Sequence, residues 1–202
     1  AGRTEMALSI YGRQYGQNTS GQIFKSGKEL TLKHPQDAIE NGISYLSEDR
    51  KRLGLVLNTS IENNISMASL GKLSKHSIVN NYEEDKQSEK YVSELSIKCK
   101  KVAVAKWLAC GTDILIFDEP TRGIDVGAKY EIYSLMNKLA LEGKTILFIS
   151  SDLVEILGMS DRIYIMDEGE ICGETPGEGA TQEKIMEIIV NHQKGANHAR
   201  VS

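Results

Sequence analysis

An α/β fold built on parallel strands is predicted by two apolar runs, each closing on polar residues and each followed by a helical pattern. Ile114 to Phe117 is apolar throughout, as a strand covered on both faces would be, and it ends at two adjacent carboxylates, Asp118 and Glu119, before Pro120 stops the ladder. Thr145 to Ile149 reads as the next buried strand and stops at Ser150 and Ser151. Between them, Asp125 is placed to cap a helix from Val126 to about Leu141, which carries Ile132, Leu135, Met136 and Leu139 on one face. Strand, helix, strand in that order argues for a parallel pair joined by a crossover.

The remaining elements follow in order. Met6 to Tyr11 is helical and ends at Gly12, and Gln14 to Ser20 is a polar turn. Gly21 to Leu30 holds two short strand-like runs around Ser26 and Gly27, a β-hairpin. Pro35 to Asn41 suits a short helix with proline in its first turn and Gly42 past its end, and Ile43 to Leu46 is a short apolar strand. The charged run Ser47 to Arg52 reads as a solvated loop. Residues 59–100 turn polar and helical, a small subdomain beside the sheet, and Lys101 to Ala109 is a helix on which Trp107 is a packing residue. Gly143 ends the long helix before Thr145. Asp152 and Glu155 fit a capping box for a helix to Leu157, a reading that reduces Ser150 and Ser151 to helix-start chemistry. Arg162 to Met166 and Glu170 to Glu174 flank Gly169 as a second hairpin. Gln182 to Gln193 is an amphipathic helix, and residues 195–202 read as a frayed tail.

At 202 residues and 40% hydrophobic content, a single domain over residues 1–202 with a real core is expected. The net charge of −4 supplies no basic field for nucleic acid, so none is expected as a partner. Cys99, Cys110 and Cys172 have no metal-ligand spacing and read as free thiols. No apolar run reaches membrane length, so contact with a membrane would go through a partner.

The chemistry centres on Asp118 and Glu119. Two carboxylates directly after a buried strand are costly to desolvate unless something binds them, and a magnesium-bound phosphate would do so; ordinary turn acids are the alternative. Gly2-Arg3-Thr4 matches the last three positions of a P-loop, with arginine where lysine is usual. Alone that tripeptide carries nothing; the acidic pair gives it weight.

Asp118 to Lys129, Asp-Glu-Pro-Thr-Arg-Gly-Ile-Asp-Val-Gly-Ala-Lys, resembles the Walker B motif and D-loop of an ATP-binding-cassette ATPase. With Ser47 to Arg52, Gly54-Leu55-Val56, Ser150 to Leu153 and Leu157 to Arg162, the chain from Ala1 to about Val190 resembles the C-terminal nucleotide-binding domain of the two-cassette ATPase in bacterial ribose, galactose and xylose importers. The resemblance implies an α/β P-loop NTPase core with antiparallel hairpins and a small helical subdomain. It implies ATP and Mg²⁺ as cofactors, and a place at the cytoplasmic face of the bacterial cell membrane. Its partners would be an N-terminal cassette of the same subunit, transmembrane permease subunits and, indirectly, a periplasmic or extracellular sugar-binding protein.

Carried over residue by residue, the resemblance makes Asp118 and Thr4 the magnesium side of the site and Glu119 the base that polarises the attacking water. Gly2, Arg3 and Thr4 take the phosphate-loop positions, Glu48 stands where a Q-loop glutamine is usual, Asp125 is the D-loop aspartate facing the opposing cassette, and Ser151 replaces the switch histidine. Arginine is not a neutral exchange for lysine, and serine lacks the imidazole donor; losing one transition-state donor costs about 10²- to 10³-fold in rate. The first half of the phosphate loop would precede Ala1, and the signature Leu-Ser-Gly-Gly-x-Gln is missing where Leu95 to Lys100 runs into the next helix, so a segment is expected to be lost near Cys99 to Lys101. The implied function is an ATPase domain energising sugar import, a degenerate second cassette. A non-hydrolytic half that completes the other cassette's site and a soluble ATPase of the same family outside transport are the alternatives.

Overall fold

Alternation along the sheet decides which side chains reach which layer. The computed structural model describes residues 2–12, 20–49, 54–75, 78–95 and 102–201. Its centre is a parallel sheet of β3 (Ile43–Leu46), β6 (Ile114–Asp118) and β7 (Thr145–Ile149), in the order β3-β6-β7. In β6, Leu115 and Phe117 point to one layer, where they pack with Ala103 and Ala105 of α6 (Val102–Ala109) and with Ile132, Leu135, Met136 and Leu139 of α7 (Val126–Leu141). Ile116 points to the other, against Ala7 and Leu8 of α1 (Arg3–Ile10), Tyr11 at the end of that helix and Ala38 of α2 (Pro35–Glu40). By the same period of two, Asp118 falls on the α1 side.

The predicted helices and strands form close to where the sequence places them. Ser26 and Gly27 both take positive φ, 50° and 79°, which a two-residue hairpin turn requires, between β1 (Ile23–Lys25) and β2 (Lys28–Leu30). Asp125 caps α7 through its Oδ1, which accepts from the Ala128 N–H at 2.9 Å. The β8 (Arg162–Asp167) and β9 (Glu170–Pro176) hairpin turns at Gly169 and carries a register shift at Ile165 and Met166. α9 (Gln182–Val201) packs on it through Ile185 and Ile188, and its backbone is helical past Gly195.

Three details differ from the sequence reading. β7 is only partly buried: Thr145 is exposed and Ile146 to Phe148 are half-buried, because among the described residues this strand pairs on one side only. The polar stretch after Ser60 forms α3 (Ile61–Ser66), α4 (Leu70–Leu73) and α5 (Asn81–Leu95), but also a short antiparallel strand pair, β4 (Ser74–Lys75) with β5 (Ile78–Val79), too brief to leave a pattern. The capping box of α8 (Leu153–Met159) is half made: Asp152 accepts from the Val154 N–H at 3.0 Å, while the Glu155 carboxylate is held by other donors. Trp107 packs as predicted, edge-on to Tyr11 with ring centroids 6.0 Å apart. The predicted turn over residues 14–19, the basic residues Arg50 to Arg52 and the signature position near Cys99 to Lys101 lie outside the described residues. No described helix is long and apolar enough to cross a membrane.

Phe117 is 1% exposed at the centre of this packing, whereas Phe24 is 58% exposed. Phe117→Ala is expected to lower unfolding free energy by about 3–5 kcal/mol in a urea titration, and Phe24→Ala by less than about 0.5 kcal/mol.

Candidate functional site

Three chain segments meet at the carboxyl ends of the parallel strands, where open α/β sheets hold their ligands. β6 delivers Asp118 and Glu119, α1 begins beside them with Gly2, Arg3 and Thr4, and the turn after β7 contributes Ser150 and Ser151.

Asp118 has no exposed surface. Its Oδ2 accepts a 2.7 Å hydrogen bond from the Tyr45 hydroxyl, while Oδ1, equally buried, has no hydrogen-bond partner. A carboxylate in this state carries an unmet desolvation penalty that a cation would remove. Tyr45 escaped the sequence reading, although a tyrosine inside a fully buried strand has to find a partner for its hydroxyl. The register supplies it: Tyr45 lies opposite Ile116, two residues before Asp118 on the same face. Burial and then the bond to Asp118 push the Tyr45 pKa up, so the phenol stays a donor.

Glu119 leaves the strand in a left-handed conformation, φ 46°, one that non-glycine residues adopt at a cost of about 1–3 kcal/mol. Its N–H is fixed to the Ile149 carbonyl at 2.9 Å, which continues the β6–β7 ladder by one rung. Its carboxylate is 3.9 Å from Arg3 Nη2, and Arg3 Nη1 donates to the Ser150 carbonyl at 2.6 Å. The arginine thus bridges the turns after β6 and β7. Gly2 precedes it with φ 97°, and a Cβ there would lie 2.8 Å from the Gly169 Cα, so the start of α1 sits directly on the β8–β9 turn.

A second carboxylate organises the wall behind this pair. Glu155 is 6% exposed, and it accepts from Thr121 Oγ1 at 2.7 Å, Lys129 Nζ at 2.5 Å and Ser150 Oγ at 2.9 Å. Burial would raise its pKa, but bonds from Lys129, Tyr133, Thr121 and Ser150 outweigh burial and lower it from 4.5 to about 2. The same contact pushes Tyr133, already raised by burial, up to about 12. The capping-box pattern concealed this role.

Glu48, Asp125, Ser151 and Thr4 are the other predicted site residues. Glu48 follows β3 and pairs with Arg122 at 2.5 Å, both side chains exposed. Asp125 is the α7 cap, and Ser151 is exposed, one residue beyond the carbonyl that Arg3 holds. Thr4 is half-buried in the first turn of α1.

The ABC transporter family profile matches residues 1–122, more than half of the sequence. The chain belongs to the ABC transporter family. It is 48% identical over 213 aligned positions to the L-arabinose transport ATP-binding protein of Geobacillus stearothermophilus, covering 97% of this chain and 42% of that one. It is 52% identical to the xylose import ATP-binding protein of Thermoanaerobacter pseudethanolicus and 46% identical to the ribose import ATP-binding protein of Clostridium tetani, covering 92% and 94% of this chain and 40% of each relative. The chain therefore spans about two fifths of the length of these curated relatives. A solved ATP-binding cassette of an ABC transporter superposes with a TM-score of 0.75 at 20% identity, covering 93% of this chain and 83% of that one. A cassette dimer bound to ADP and Pi gives 0.70 at 16% identity, covering 88% and 82%. The fold is that of an ABC ATPase cassette.

The cassette's residues fit a metal–nucleotide complex at one point above all, the partnerless Asp118 Oδ1. Among the described residues no cluster of three or more His, Cys, Asp or Glu side chains is placed to hold a metal ion alone.

Glu155 also makes the cassette's stability pH-dependent. Its folded pKa is depressed, so its contribution is complete above about pH 4.5 and is lost as pH falls toward about 2. Urea titrations at about pH 6 and about pH 3 are expected to differ by roughly 2 kcal/mol from this group, a difference that Glu155→Gln removes.

Proposed function

We propose that this cassette binds ATP with Mg²⁺ and couples the nucleotide's binding and turnover to sugar import by an ABC transporter, as one of the two cassettes of a longer subunit. The observation that carries the reading is the buried Asp118 with one oxygen open, at a strand end flanked by Arg3 and Thr4. The printed names of the arabinose, xylose and ribose relatives, transport or import ATP-binding proteins, support the sugar-import context, and the two-fifths coverage supports the two-cassette arrangement. On this reading the partners are an N-terminal cassette, transmembrane permease subunits and a sugar-binding protein, and the domain sits peripherally on the cytoplasmic face of the membrane.

Asp118 and Thr4 would hold the magnesium ion. Bound there, the ion supplies positive charge to the phosphate oxygens as the terminal bond breaks. The first turn of α1 presents unpaired backbone N–H groups to phosphate, and Arg3 adds a forked cation at its mouth. Glu119 serves as the acceptor for a proton of the attacking water, its backbone held still by the Ile149 carbonyl. Ser151, exposed in the switch position, offers a hydroxyl in place of an imidazole. Glu48 and Asp125 would face the permease and the opposing cassette. Residues 59–100 would form the subdomain that passes motion to the permease.

Arg3 argues for a weakened site. Its guanidinium already lies against the Ser150 carbonyl and 3.9 Å from the carboxylate of Glu119, so the group that should contact phosphate is drawn toward the base instead. This contact favours the second reading, a nucleotide-binding half that closes against a competent partner without hydrolysing ATP itself. The two readings separate by phosphate-release assay. Slow turnover that Glu119→Gln lowers by about tenfold or more marks a working base; turnover equal in both chains marks the non-hydrolytic half. ATP and Mg²⁺ at millimolar concentration should shift the NMR resonances of α1 and of the Asp118 turn. No shift under those conditions would exclude both.

A further inference from the structure

Glu155 lies outside every motif that defines the candidate site, yet it is the most heavily bonded side chain beside it. Its donors come from three places: Thr121 in the turn after β6, Lys129 and Tyr133 on α7, and Ser150 in the turn after β7. Thr121 Oγ1 lies 2.7 Å from both carboxylate oxygens. Thr121 and Ser150 are themselves 2% and 8% exposed, so the joint is shielded from water, where hydrogen bonds to a charge are strongest. Lys129 is further tied to Asp152 at 3.5 Å.

These contacts close a ring. Glu119 N–H is bonded to the Ile149 carbonyl, the next residue Ser150 is bonded to Glu155, Glu155 is bonded to Thr121, and Thr121 is two residues from Glu119. Arg3 joins the ring from outside through the Ser150 carbonyl. We infer that Glu155 is a positioning residue, whose carboxylate locks the turn after Asp118-Glu119 to the turn carrying Ser150 and Ser151 so that both face the nucleotide as one rigid unit. The inference rests on the nucleotide-binding reading for its purpose, but the locking itself belongs to the chain alone. A helix cap at Glu155 would stabilise only α8; a shared carboxylate makes the position of one turn depend on the other.

Hydrogen exchange tests the lock, and nucleotide titration tests what it is for. In Glu155→Gln the amide of Glu119 and the amide of Asp152, which donates to Ser150 Oγ at 3.0 Å, are both expected to exchange about tenfold faster, with the Ile116 amide in mid-strand unchanged. Thr121→Val removes only the donor on the β6 side and keeps Glu155, Lys129 and Ser150. Faster exchange at Asp152 in that variant carries the effect across the joint. Acceleration confined to residues 150–156, or spread equally over the fold, overturns the proposal.

The second arm compares ATP affinity with and without Mg²⁺ by NMR titration. Glu155→Gln is expected to reduce the gain that Mg²⁺ brings by about fivefold while metal-free ATP binds within about twofold of the unaltered chain. Equal losses with and without metal make Glu155 a structural support and overturn its positioning role. If the unaltered chain binds no nucleotide, the nucleotide reading falls, and the exchange data alone decide whether the lock exists.

Discussion

A carboxylate with no exposed surface, placed at the end of the central strand, is the constraint on which the rest of this cassette depends. Burying Asp118 is unfavourable by several kcal/mol in an apolar setting, and the fold relieves it only in part. The parallel register sets Tyr45 opposite Ile116, so its hydroxyl satisfies one oxygen; the other is left to whatever binds at the strand ends. The alternation that buries Leu115 and Phe117 against α6 and α7 sends Asp118 toward α1, where Arg3 and Thr4 begin their helix. Core packing and site chemistry are two faces of one strand.

Around that point the fold works by sharing partners. Ile149 gives its carbonyl to Glu119, Ser150 gives its carbonyl to Arg3 and its hydroxyl to Glu155, and Thr121 turns back to the same carboxylate. Such a network makes the two turns rigid without a large core between them. It also explains how Glu119 holds a left-handed backbone: the Ile149 and Arg122 bonds on either side fix it. By contrast Glu48 and Arg122, both exposed, form an ion pair that adds little stability and is free to open toward a partner.

Much of this was legible from residues alone. Apolar runs of four residues, Ile114 to Phe117 and Ile146 to Ile149, ending in Asp-Glu or Ser-Ser, and a helix stripe at Ile132, Leu135, Met136 and Leu139, state the strands and the crossover plainly because burial is a local pattern. What escaped depends on contacts between distant positions. The Tyr45 to Asp118 bond joins residues 73 apart, and Thr121 to Glu155 joins residues 34 apart. Glu155 reads as a capping-box residue because a helix-start glutamate has a local explanation, and local pattern gives no sign that stronger, distant partners hold it. The half-burial of β7 is of the same kind: an apolar run reveals that a strand is covered, not how many strands lie beside it.

A depression of about 550 Å³ at the opposite end of the sheet, lined by Lys25, Lys28, Lys72 and Asp113 among others, is a second place where an anion could settle. There Lys25 already binds the Asn41 carbonyl at 2.5 Å and Lys72 the Cys110 carbonyl at 2.5 Å, so two of its lysines are engaged. Replacing Mg²⁺ by Mn²⁺ in a complex with ATP and mapping paramagnetic broadening of amide resonances distinguishes the two ends directly. Broadening centred on Thr4, Asp118 and Glu119 is the result expected if the open oxygen of Asp118 is the metal side of the site. Broadening centred on Gly42 and Asp113 would contradict it.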